Sequence, residues 1–208
     1  VSAAPTSGSV GPQSPTAATD GAEQGGVSPW STPANALASD DSKTASSLNG
    51  VGQTLTPSLR VVGFNFSAIP SGATIDGVVV EVERSVNSTG GSPRDSLVSL
   101  TKDNTAVVGD NKATGTTWPT SDAYATYGGA ADLWGTTWTL AEIQASTFGL
   151  WLKGQKTASK GGRILSVDHV RITVYYTAGG GGGGPEITGS GSGSFNFTAT
   201  GGGGANIA

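Results

Sequence analysis

The chain has 208 residues, 35% hydrophobic and 12% charged, with a net charge of -4 and no cysteine. That length suits one all-β domain with spare chain at both ends, and no apolar run approaches the roughly 18 residues of a membrane helix. Without a basic run the chain is not a sequence-independent nucleic-acid binder, and without Cys it has neither a disulfide framework nor thiolate chemistry.

Residues 1–26 are mostly Pro, Ser, Thr, Ala and Gly. So little apolar surface cannot offset the entropy of ordering, which predicts a disordered tail or an arm ordered against a neighbouring subunit. Pro5, Pro12 and Pro15 favour extended backbone. This stretch has neither the basic region nor the apolar block of a signal peptide. Trp30 is the one aromatic anchor of an irregular stretch, followed by Asp40 and Asp41. The two carboxylates suit a hard cation, but acceptor oxygens near a turn are more often simply solvated. Residues 42–48 read as a weak first strand. Residues 54–66 (TLTPSLRVVGFNF) read as a strand whose Leu59, Val61, Phe64 and Phe66 face inward if a bulge near Gly63 shifts the phase.

Ile69-Pro70-Ser71-Gly72 is a turn leading into the strongest strand of the chain, residues 73–85 (ATIDGVVVEVERS). Val78, Val80 and Val82 share one face and the carboxylates lie on or near the other, the period of a strand half in a core. Residues 87–93 form a loop, residues 95–102 alternate again, and residues 105–108 are expected to return as a hairpin through Asp103-Asn104. Residues 109–135 read as a long irregular region carrying Trp118, Tyr124, Tyr127 and Trp134. Rings so grouped in a loop are seldom left in solvent, and such loops are usually functional or covered. Residues 140–144 suit one helical turn and residues 147–152 (TFGLWL) a strand. Residues 167–177 (VDHVRITVYYT) repeat the strong alternation, with Val170, Ile172, Val174 and Tyr176 on one face. Six glycines at 179–184 then open a linker, followed by two short alternating segments, 185–188 and 194–198, that suit a small hairpin. The division expected is an arm at 1–26, a β-sandwich at 27–178 and a Gly-rich tail at 179–208.

Catalytic constellations are mostly missing. His169 lies in a strand, where a lone His is more often packed or solvated than catalytic. No serine sits in GxSxG, and no glycine run carries the Lys-Ser or Lys-Thr of a phosphate loop. Glu81 and Glu83 are about 7 Å apart by strand rise, a glycosidase-like spacing, but a solvated outer face balanced by Arg84 and Arg171 is the simpler reading. No catalytic residue, cofactor or metal ligand is therefore expected. Trp118, Trp134, Trp138 and Trp151 raise sugar stacking, with Asp132, Asn111 and Gln155 as polar rim. Trp118, Tyr124, Tyr127 and Trp134 are the candidate glycan or subunit contacts. An exposed platform of these rings would speak for glycan, and burial for a structural role.

The segments IPSGATIDGVVVEVER, DLWG, FGLWL and VDHVRITVYY, in this order, together resemble a domain of tailed-bacteriophage virion proteins, and GSGSFNFTATGGGG is similar to short repeats of phage fibre and decoration proteins. The resemblance implies a jelly-roll-like antiparallel sandwich and a non-enzymatic role on the particle exterior, as capsid decoration, head fibre or neck/tail fibre. It implies assembly in the host cytoplasm, contact with other virion proteins and a homo-oligomer, with a trimer as first expectation. The Pro-rich arm is the expected anchor, without membrane insertion. The alternatives are a carbohydrate-binding or host-adhesion module reading a host-surface glycan, and a secreted bacterial surface protein of the same fold.

Overall fold

The computed structural model describes residues 5–21, 28–50, 52–157 and 161–179. The linker from 180 and the expected tail hairpin lie outside them. Among the described residues nine strands run in chain order: β1 (Thr6–Gln13), β2 (Ala17–Asp20), β3 (Thr44–Leu48), β4 (Leu59–Val62), β5 (Thr74–Val86), β6 (Arg94–Thr101), β7 (Ala123–Gly128), β8 (Gly149–Gln155) and β9 (Arg163–Ala178). Odd-numbered strands form one sheet and even-numbered strands the other, so every connection crosses from sheet to sheet. The first sheet is ordered β1-β9-β5-β7, with β3 also on β9, and the second β2-β4-β8-β6. All strand pairs are antiparallel. The result is the all-β sandwich expected from the two alternating strands, with the jelly-roll-like antiparallel form that the resemblance implies.

The two strongest sequence patterns pair with each other. Val78, Val80 and Val82 of β5 lie opposite Val174, Ile172 and Val170 of β9, and all six are fully buried. Across the core, β8 supplies Leu150 between Val61 and Leu100, and Leu152 between Leu59 and Val98. Each such side chain removed from water contributes on the order of 1.5–3 kcal/mol. Phe64, Phe66, Phe148 and Trp138 close one end edge-to-face and stacked, with neighbouring ring centroids 5.3 to 6.5 Å apart. The expected helical turn is α1 (Leu140–Gln144), which lays Ile143 into the core. A reciprocal capping box starts it: Thr139 Oγ1 accepts from Glu142 N, and Glu142 accepts from Thr139 N.

Three expectations change. Residues 6–20 are not a tail: β1 pairs with β9 and β2 with β4, one strand on each sheet. Composition misses this because a strand laid along a finished sheet gains backbone hydrogen bonds without large side chains. The return hairpin at 105–108 is reduced to a bridge between Leu100 and Val108. The irregular region 109–135 contains a six-residue strand, β7, whose partner β5 lies far upstream. Brief digestion of the isolated protein with a broad-specificity protease is expected to leave residues 6–20 uncut. Early cleavage within them would show that these strands do not hold.

Candidate functional site

Of the four aromatic candidates, Trp118, Tyr127 and Trp134 are buried inside the domain and only Tyr124 is partly exposed. They make no exposed platform. Trp118 and Tyr127 meet at a buried ion pair that the sequence reading did not anticipate. Arg84 follows Val78, Val80 and Val82 on the inward parity of β5 and is 3% exposed; Asp95 on β6, in the other sheet, is 1% exposed. The expectation that Arg84 balances Glu81 and Glu83 on the outer face is therefore corrected. The guanidinium crosses the sandwich to Asp95 Oδ1, and its Nη1 also donates to the Tyr127 hydroxyl.

Asp95 is saturated. Its Oδ1 accepts from Trp118 Nε1 at 2.8 Å, and its Oδ2 accepts from the Tyr127 hydroxyl at 3.0 Å, Thr114 N at 3.2 Å and Thr114 Oγ1 at 3.1 Å. Arg84 lies 4.9 Å from the Trp118 ring centroid, and its Nε has no hydrogen-bond partner. Burial, then the Asp95 charge, hold the Tyr127 hydroxyl far above the usual phenol range although Arg84 opposes them. The phenol is a fixed donor, unsuited to proton transfer at neutral pH.

Trp134 sits apart, in a left-handed turn at φ 60, and its indole donates to Val78 O at 2.9 Å. The polar groups read as a sugar rim are used internally. Asp132 pairs with Lys112 at 2.9 Å and accepts from Trp134 N. Asn111 bonds Val98 N and Ser96 O, and Gln155 donates to Asp95 O.

Tyr124 belongs to a polar cluster on the outer face of the first sheet. Its hydroxyl meets His169 Nδ1 at 2.9 Å, and the other ring nitrogen, Nε2, meets Ser14 Oγ at 2.9 Å. Arg171 lies 4.1 Å from the Tyr124 ring centroid and bonds Glu81 through Nε and Nη2 at 2.8 and 2.9 Å. Ser39 donates to Glu83 at 2.7 Å. A serine on an imidazole held by a third group is the geometry of nucleophilic catalysis. Here the three groups join the β1–β2 connection, β9 and β7. A cavity of about 380 Å³ reaches Tyr124, but neither Ser14 nor His169 lines it. The contact was hidden in the sequence because Ser14 and His169 are 155 residues apart.

Burial, then Arg171, pull the His169 pKa below its ordinary 6.5, against Glu83 and Glu81. A depressed folded-state pKa gives stability that is present above 6.5 and lost as the pH falls through the folded value. Asp168, next along β9, runs oppositely: burial raises its pKa, so its contribution is present at low pH and lost as pH rises. His169→Gln is expected to remove the acid-side loss, seen as a smaller drop in urea midpoint between about pH 7.5 and about pH 5.5 than in the parent. An unchanged drop would assign the loss to other groups.

Asp40 accepts from Ser42 N, Asp41 N donates to an Asp168 oxygen, and Lys43 pairs with Asp122 at 2.6 Å. Among the described residues no group of three or more potential ligands is placed to hold a metal ion. None of the described helices is long and apolar enough to cross a membrane. No known protein family matches the chain, and neither the curated proteins nor the solved structures contain a match.

Proposed function

We propose that the chain is a non-enzymatic structural protein on the exterior of a bacteriophage particle, as capsid decoration, head fibre or neck/tail fibre, assembled in the host cytoplasm with other virion proteins. The reading starts from the ordered motifs that resemble virion domains. The observation that carries it is the fate of the loop aromatics. Trp118, Tyr127 and Trp134 plug the sandwich and bond to Asp95 and Val78, so the region with the most binding-type residues is spent on holding the two sheets together. Such a module has a fixed outer shape and presents its polar outer face to neighbours. With residues 6–20 in the sheets, attachment through the N-terminal segment would use the surfaces of β1 and β2 rather than a loose arm.

Quantitative mass spectrometry of density-purified particles tests this. A fixed copy number per particle that survives repeated banding, in a multiple matching a trimer, is expected. Recovery only from the soluble lysate would sink the reading.

A further inference from the structure

A row of outer-face side chains crosses the first sheet: Tyr124 on β7, Glu83 on β5 and His169 on β9, each the ladder partner of the next. Its last member meets Ser14 of the β1–β2 connection, whose hydroxyl lies 2.9 Å from His169 Nε2. Ser14 is exposed, while His169 is buried. The serine's backbone is held on both sides. Gln13 pairs with Ile172, Pro15 is buried, and Thr16 N and Oγ1 donate to Val62 O and Gly63 O at 3.2 and 3.0 Å. Glu83 sets where the protons lie. Burial raises the Tyr124 pKa; Ser39 opposes, and Glu83, accepting a hydrogen bond from the phenol, raises it further. A carboxylate only accepts, so the phenol's one proton points to Glu83. The phenol oxygen then accepts from His169 Nδ1, and Nε2 keeps its lone pair towards Ser14. Burial, then Arg171, lower the His169 pKa against Glu83 and Glu81, so at neutral pH the imidazole is uncharged and able to take a proton.

We propose that Ser14 is a reactive hydroxyl, with His169 as its general base, that takes acyl groups from small activated esters and thioesters. In this step the bond from Ser14 Oγ to the acyl carbon forms, and the bond from that carbon to the leaving oxygen or sulfur breaks. The hydroxyl proton passes to His169 Nε2 and from there to the leaving group, giving an O-acyl serine and an alcohol or thiol. Glu83 beside the imidazole stabilises the cation formed in between, and Tyr124 fixes the tautomer; both are positioning residues. Ser14 stands on the surface and does not line the 380 Å³ cavity, so the quality of the leaving group, rather than a shaped pocket, selects the donor. One acyl group per chain is expected, a modification that leaves the sandwich and its structural role intact.

Treatment of the full chain with p-nitrophenyl acetate tests the proposal, the adduct being located by peptide mass spectrometry. The parent is expected to gain one acetyl group on Ser14, at a rate that rises with pH and levels off near neutrality, once His169 is uncharged. An unassisted serine would react in proportion to hydroxide, without levelling. His169→Gln should slow acetylation of Ser14 on the order of a hundredfold, the lower end of what a general base supplies. Tyr124→Phe, which releases the tautomer, should lower the plateau. The pH profile of the parent needs no variant and stands even if the glutamine protein does not fold. Equal Ser14 rates in the parent and His169→Gln, a parent rate that follows hydroxide throughout, or no adduct on Ser14 would each overturn the proposal.

Discussion

Replacing Asp95 by Ala is expected to destabilise the protein by about 3–5 kcal/mol in urea unfolding at neutral pH. The substitution leaves the Arg84 guanidinium between the sheets without its counter-charge, and also deprives the Trp118 indole and Tyr127 hydroxyl of an acceptor. Arg84→Leu combined with Asp95→Leu should recover part of that loss, because both charges are then spared desolvation. The contrast is the outer-face pair Glu81–Arg171, equally well formed but about a quarter exposed. There Glu81→Gln should cost under about 1 kcal/mol. An Asp95→Ala variant within about 1 kcal/mol of the parent would show that the ion pair does not hold the sheets together.

Trp134→Ala is expected to cost about 3–5 kcal/mol, since a fully buried indole leaves a cavity that its surroundings fill only in part. Trp134→Phe should cost nearer about 1 kcal/mol, because the ring volume largely remains and Val78 O keeps its bond from Gly129 N when it loses the indole. Thermal and urea unfolding check both. A glycan platform predicts a different pattern, in which Trp134→Ala folds as well as the parent and loses sugar binding alone.

The legible parts of the fold were those where a strand's inward face is uniformly apolar. Val78, Val80 and Val82, like Val170, Ile172 and Val174, state their phase by themselves, and the helical turn α1 carries its capping residues. Arg84 shows the limit. Its position in the alternation points inward, but a charge is read as solvated until its partner is known, and Asp95 stands in a different strand with nothing local to mark the pairing. β1, β2 and β7 were hidden for a related reason. Their residues are small or polar, and what makes them strands is the edge of β9, β4 or β5 supplied from far away in sequence. Ser14 and His169 are the same case at the level of side chains.

The role proposed for the module is tested most directly by cryo-electron microscopy of intact bacteriophage particles purified from lysates that contain this chain. The account predicts symmetric density outside the shell or along the neck or tail, into which the two-sheet sandwich fits with β1 and β2 accessible to neighbouring proteins. Particles with no such external density, while the chain is present in infected cells, would contradict it.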